Sequence, residues 1–314
     1  MRSVKPYLIM MLWTSMPALA ELDELKAIPI IAPAGPVSKT DYGRLCKVFP
    51  ALRLRPFTAP VYWHSGSDQD RALELVGSVK HPSPWVWSLR GGYGCARLIP
   101  FLEKAHRKGR YDAEKIWIGY SDCTCLHLWA HLKGAKTLHA SMPKDWINPL
   151  VKRKNFILLN RILQKPQGRL TYSGLTPLNA AGENTTSIQG VVLGGNLTLL
   201  ANSIGTVWQL KGREKIIIIE DVDMLGYQID RTLHHLTESG VLEGAKTIIF
   251  GEFSGKNTGW KRALERFAQE TSVPVFYWPY FGHGPNNYPI PLGFESTITL
   301  QNDNVVWVIP YHFL

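Results

Sequence analysis

The sequence predicts an α/β protein of two domains. Three observations carry that expectation. Short β-branched or aromatic runs alternate with amphipathic segments, the pattern of a parallel sheet covered on both faces. The alternation breaks off near Met142 and resumes near Val191. The length of 314 residues fits two domains at roughly 150 residues each.

Taken in order, the first strand is Ala27 to Ile31, closed by the turn residues Pro33 and Gly35. Apolar residues at helical spacing predict a helix over Asp68 to Val79, and Trp85 to Leu89 is a compact strand. A helix over Cys95 to His106, a strand over Ile116 to Tyr120 and a helix over Cys123 to Leu132 continue the alternation. Pro143, Pro149, Pro166, Gly168, Gly174, Pro177 and Gly182 then interrupt it, predicting a connector with one helix near Phe156 to Leu163. The basic cluster Lys152, Arg153 and Lys154 in that connector reads as a solvated face. The second unit has an all-apolar strand Ile216 to Ile219, a helix from about Gln228 to Leu242, and a strand Thr247 to Phe250. A helix from about Trp260 to Gln269 and terminal strands near Thr297 to Leu300 and Val305 to Ile309 complete it. The expected boundaries are 1–20 for a signal peptide, 21–145 for the first domain, 146–188 for the connector and 189–314 for the second domain.

Composition narrows the class. With 45% hydrophobic and 19% charged residues, disorder, collagen-like repeats and polytopic membrane architecture are excluded. A formal charge of +10 would suit an anionic polymer, but the charges are scattered and select no nucleic-acid partner. The N-terminus has Arg2 and Lys5, an apolar run from Pro6 to Met16, and Ala18-Leu19-Ala20. That layout predicts a secretory signal cleaved after Ala20, since the run is shorter than the ~20 residues a membrane span needs. The mature protein is then expected to be periplasmic or otherwise exported, with no stable membrane anchor. Cys46, Cys95, Cys123 and Cys125 are too few and too irregular for a disulfide framework. One bridge from Cys95 to Cys123 or Cys125 and buried free thiols both remain open.

Several residues stand out chemically. Ser121, in Ile118-Gly119-Tyr120-Ser121-Asp122, lies on the turn from a buried strand into a helix. It reads either as a helix N-cap or as a nucleophile lifted out of the sheet, with the backbone N–H of Asp122 as one oxyanion donor. The Gly-rich loop Arg90-Gly91-Gly92-Tyr93-Gly94 shares the same sheet edge and lets backbone amides approach a ligand. It has neither GxGxxG nor P-loop spacing, so no nucleotide cofactor is expected. Glu220 and Asp221 end a buried strand, where carboxylates are costly unless paired; pairing with Arg231 is the bland alternative. His283, between Gly282 and Gly284, is a loop imidazole, and the chain order Ser121, Glu220, His283 occurs in hydrolase triads. Cys123, Cys125, His127 and His131 match no standard zinc spacing, so an amphipathic helix and no metal are expected. Two α/β domains around a cleft also describe a periplasmic binding protein, which needs no reactive serine.

Five ordered motifs together resemble one family: RGGYG at Arg90 to Gly94 with Arg97-Leu98, IGYSD at Ile118 to Asp122, LGGNL at Leu193 to Leu197, IIIIED at Ile216 to Asp221, and FGH with PLG at Phe281 to His283 and Pro291 to Gly293. The chain is similar, over essentially its whole mature length, to the LD-carboxypeptidase family of serine peptidases, which includes muramoyltetrapeptide carboxypeptidases and microcin-immunity peptidases. The resemblance implies a flavodoxin-like N-terminal domain carrying Ser121 and a C-terminal domain carrying Glu220 and His283, with the active site between them. It also implies a homodimer, no metal or other cofactor, and murein tetrapeptide as substrate, with a peptidyl-nucleotide antibiotic as the alternative. On that reading Gly92 and Asp122 supply the oxyanion hole, and the charge and position of Arg90 make it a candidate for the substrate carboxylate. Two features depart from the family: His139-Ala140-Ser141 replaces a common His-Gly-Pro, and the familiar enzyme works in the cytoplasm without a signal peptide.

Overall fold

The computed structural model describes residues 28–48, 60–109, 115–255, 259–301 and 304–314. The expected signal peptide lies outside the described residues. Four short strands, β1 (Ile30–Ile31), β2 (Trp85–Ser88), β3 (Ile116–Gly119) and β4 (Thr137–His139), form a parallel sheet in that order. Every residue of these strands is buried. β1 to β3 therefore read as largely apolar runs with no polar face, as strands covered by helices on both sides do. The helix Asp68–Ser78 begins where the Ser67 side chain accepts the Asp70 N–H, satisfying one of the donors a helix start leaves open.

The remaining strands are β5 (Gln167–Ser173), β6 (Thr176–Pro177), β7 (Ser187–Asn196), β8 (Lys215–Val222), β9 (Thr247–Ser254), β10 (Val275–Gly282), β11 (Ile290–Leu292), β12 (Glu295–Gln301) and β13 (Asn304–His312). The second sheet has the order β5-β13-β12-β7-β8-β9-β10-β6. Its centre, β7 to β10, is parallel, and the flanking strands are antiparallel. The α/β class and the two-sheet organisation are as expected, but the sheets do not follow the linear order of the chain. The segment expected as a connector carries β5 and β6, which edge the second sheet on opposite sides. Its helix, Lys154–Gln164, falls where the sequence places it. Conversely, β11 crosses back and pairs antiparallel with β4 in the first sheet. Neither excursion has a local signature, because Pro and Gly mark breaks in the chain without saying which sheet the next segment joins.

These crossings fuse the two cores. Trp87, Ile118 and Leu138 of the first sheet belong to the same buried cluster as Ile218, Phe276, Trp278 and Trp307 of the second. The helix Thr124–Leu132, expected to be amphipathic, is buried from Thr124 to Ala130. One cause is its contact with β7 in addition to its own sheet. A Cβ at Gly195 would lie 2.4 Å from Thr124 Oγ1, so the bare backbone of the Gly194-Gly195 pair admits the helix start. Thr124 Oγ1 accepts the Asn196 N–H at 2.9 Å. The start of this helix is thus fastened to the second sheet one turn from Ser121.

Candidate active site

Ser121 follows β3 directly and has φ +61°, a left-handed conformation that costs a non-glycine residue about 1–3 kcal/mol. The strain points away from a simple N-cap. At the 3-10 turn Ser121–Cys123 no side-chain cap bond forms, and the hydroxyl is turned instead toward the second unit. Ser121 Oγ lies 3.0 Å from His283 Nε2, and His283 Nδ1 lies 2.6 Å from Glu220 Oε2. The structure therefore brings together three residues spread over 162 positions of the chain. A carboxylate only accepts, so Nδ1 carries the proton and donates it to Glu220, leaving the Nε2 lone pair to accept the serine O–H.

Each partner is positioned by its own strand. Glu220 is the sixth residue of β8 and is fully buried. Next to it, Asp221 is held by Asn196 Nδ2 at 2.9 Å, by Thr198 N and Oγ1 at 2.9 and 2.8 Å, and by its own neighbour Val222 N at 2.7 Å. Thus Asn196 and Thr198, and not the alternative partner Arg231, hold Asp221; the Arg231 guanidinium lies over the Tyr227 ring. His283 follows the end of β10. Burial alone would depress its pKa, but Glu220 foremost, then Asp221 and Asp145, outweigh this and raise it above the ordinary imidazole value.

Gly282, with φ +111°, is what lets His283 reach Glu220. A Cβ there would lie 2.9 Å from Glu220 Cβ and 3.0 Å from Oε2. Gly282→Ala is expected to cost roughly 1–3 kcal/mol from backbone strain and to separate imidazole from carboxylate. A lower melting temperature together with a lower kcat would show both effects, and an unchanged kcat would refute the second.

The Gly-rich loop closes over the serine. A Cβ at Gly91 would lie 2.8 Å from Ser121 Cβ and 2.9 Å from Oγ, so only glycine fits there. Gly92 has φ +109° and packs on Gly35. The buried Asp122 side chain accepts the Cys95 N–H at 2.8 Å, tying the serine turn to the far end of that loop. Burial pushes the Asp122 carboxyl upward in pKa. The Arg90 guanidinium hydrogen-bonds to the Pro36 carbonyl and lies near Gly35 and Gly92, so it braces the loop from behind.

Several groups at the site were not read from the sequence as contacts of His283. Tyr120 packs its ring on His283 at 4.9 Å between centroids and donates its hydroxyl to Asp145 at 3.2 Å. Burial raises the Asp145 pKa, and Asp145 also accepts the Met142 N–H. His139, where the family pattern departs, is buried on β4 with Nε2 3.2 Å from Asn287 Oδ1, and that oxygen also accepts the Gly282 N–H at 3.1 Å. These contacts span sequence separations that no local pattern reveals. Burial also accounts for the residues weighed as metal ligands: His127 donates Nε2–H to the Gly119 carbonyl at 2.9 Å, and burial draws its pKa down to about 3. Cys95, Cys123 and Cys125 are buried free thiols and Cys46 is an exposed one. Among the described residues no group of three His, Cys, Asp or Glu side chains is arranged to hold a metal, and no helix is long and apolar enough to cross a membrane.

A serine, an imidazole and a buried carboxylate in line at the carboxyl ends of parallel strands have the form of a serine peptidase site. The chain's relatives place it more closely. The chain belongs to the LD-carboxypeptidase family, whose N-terminal domain model matches residues 28–140 and whose C-terminal domain model matches residues 189–298. It is an enzyme, a serine carboxypeptidase. A Rickettsia conorii protein named provisionally as a carboxypeptidase is 42% identical over 68% of this chain and 67% of its own. The murein tetrapeptide carboxypeptidase of Pseudomonas aeruginosa is 29% identical over 77% of this chain and 81% of its own. The crystal structure of muramoyltetrapeptide carboxypeptidase from Oxalobacter formigenes has the same fold, with a TM-score of 0.74 at 24% identity over 90% of this chain and 98% of that one.

Proposed function

We propose that this enzyme hydrolyses the amide between the L-centre of the diamino acid and the terminal D-Ala of murein tetrapeptides, with Ser121, His283 and Glu220 as its triad. The observation that carries the reading is the hydrogen-bonded line from Ser121 Oγ through both ring nitrogens of His283 to Glu220. Ser121 Oγ attacks the scissile carbonyl while His283 Nε2 takes its proton. The tetrahedral intermediate collapses when the same proton passes to the departing D-Ala nitrogen, and water then repeats the cycle on the acyl-enzyme. Glu220 holds the imidazole by Nδ1 and stabilises the imidazolium. The developing oxyanion is received by the backbone N–H groups of Gly92 and Asp122, each contributing about 3–4 kcal/mol to transition-state stabilisation. The charge of Arg90 makes it the candidate for the D-Ala carboxylate, a role that requires its guanidinium to leave the Pro36 carbonyl.

The relatives named for murein tetrapeptides support the substrate class. The N-terminal pattern ending at Ala20 supports an exported location, and the family resemblance supports a homodimer without metal. The deciding experiment incubates the protein with disaccharide tetrapeptide and follows products by mass. Tripeptide and free D-Ala in equal amounts are expected, and turnover should survive a chelator. Release of a D-Ala-containing dipeptide would shift the cleaved bond and overturn the carboxypeptidase assignment, and no cleavage while a peptidyl-nucleotide amide is hydrolysed would replace this reading with the immunity-type activity.

A further inference from the structure

Near the Gly-rich loop the protein displays three exposed aromatic rings. Tyr62 and Trp63 are 84% and 71% exposed, and Tyr93 of the Gly-rich loop is 49% exposed. Tyr62 and Trp63 occupy the tip of a tight turn closed by the Val61–His64 bridge. Tyr62 adopts φ +55°, a conformation that a bulky residue holds only when its surroundings impose it. The surroundings are rigid. Ser65 donates its N–H to the Ala34 carbonyl at 3.0 Å and its hydroxyl to Ala32. His64 stacks at a tilt on Tyr93 with centroids 5.1 Å apart. Gly94, where a Cβ would lie 2.6 Å from His64 Cδ2 and 2.7 Å from an Arg71 guanidinium nitrogen, lets the turn lock onto the loop that covers Ser121.

We infer that Tyr62, Trp63 and Tyr93 form a saccharide subsite that stacks on the glycan from which the murein peptide hangs, so that the enzyme prefers glycan-borne peptide to free peptide. The inference rests on the proposed murein substrate. A pyranose has an apolar C–H face rimmed by hydroxyls, which suits rings that are flat and apolar with an N–H or O–H at the edge. Tyr62 and Trp63 have centroids 6.0 Å apart and planes inclined by 32°, a shallow V suited to one sugar or to two successive sugars. Three residues, about 10 Å of extended chain, separate the scissile bond from the sugar, and the rings lie on the turn that packs against the Gly-rich loop touching Ser121: a Cβ at Gly91 would lie 2.8 Å from Ser121 Cβ, and Tyr93 of the same loop stacks on His64. A second copy of the chain is a poorer occupant, since three partly exposed rings of at most ~250 Å² each fall short of the ~800 Å² per partner that a stable interface takes.

The test compares kcat/KM on disaccharide tetrapeptide and on free tetrapeptide for the wild type, Trp63→Ala and Tyr62→Gly; the glycine keeps the turn because it accepts positive φ. The wild type is expected to favour the disaccharide form by ~10-fold, and each variant to lose roughly 3- to 10-fold on that form with free tetrapeptide unchanged. Equal wild-type rates on the two forms, or parallel losses on both, would overturn the subsite. Binding separates this result from failure of the murein reading. Ser121→Ala protein titrated with the peptide-free GlcNAc–MurNAc disaccharide should show a tryptophan-fluorescence change that is lost in Ser121→Ala/Trp63→Ala. A response to a purine nucleotide and none to the disaccharide would overturn the inference, as would variants whose sole change is a smaller oligomer.

Discussion

Replacing Ser121 by alanine is expected to lower kcat by roughly 10⁴- to 10⁶-fold, with the fold intact and substrate still bound. The nucleophile is lost, and the imidazole and the oxyanion donors cannot act in sequence without it. What remains is the stabilisation offered by the Gly92 and Asp122 amides. Liquid chromatography with mass detection of tripeptide and D-Ala would measure the loss, and undiminished turnover would remove Ser121 from the mechanism. The backbone adds a second expectation. Ser121 has φ +61°, so Ser121→Gly should be equally inactive and more heat-stable, by up to about 1 kcal/mol, because glycine enters that conformation without steric cost. An active site that gains stability when its chemistry is deleted is one in which strain is held for function.

Glu220→Gln is expected to lower kcat by about 10⁴-fold, the scale seen when the acid of a Ser-His-acid site becomes an amide. The amide can present either an oxygen or an NH₂ to His283 Nδ1, and it cannot stabilise the imidazolium. The pH dependence supplies a distinct signature. His283 must be neutral to take the serine proton, and Glu220 is the foremost group holding its pKa above the ordinary imidazole value against burial. Wild-type activity should therefore fall, as pH drops, at a pH above the ordinary imidazole range. In Glu220→Gln burial gains the upper hand, and the acid limb of the profile should move to lower pH. Stability follows the same linkage. A pKa raised in the folded state adds stability that is fully present below the unfolded imidazole pKa and is lost as pH rises through the folded one. The wild type should lose this contribution on going alkaline, and the variant should not. An acid limb that stays in place in Glu220→Gln would dissociate Glu220 from the imidazole.

The local elements were legible because each is written in a run of neighbouring residues. The all-apolar Ile216 to Ile219 reads as a central strand, and it is buried on both faces. The spacing over Asp68 to Val79 reads as a helix, and the helix is Asp68–Ser78. The residues brought together at the site were also legible individually: a serine at a strand-to-helix turn, a carboxylate at the end of a buried strand, a histidine between glycines. What could not be read was the company they keep. Asp145, Tyr120, His139 and Asn287 are ordinary residues in their own segments, and they meet His283 or its loop only because β4, β10 and β11 converge.

By itself the sequence determined the α/β class, the strand-end positions of Ser121 and Glu220 and the loop position of His283, since periodicity and turn chemistry act over a few residues, and its five ordered motifs carried the family resemblance. Only the tertiary structure decided that the segment expected as a connector edges the second sheet, that β11 returns to the first, and that Ser121, His283 and Glu220 fall within hydrogen-bonding distance of one another. Strand pairing and side-chain packing between distant segments are settled by the burial that the whole chain achieves at once. No window of sequence contains that sum.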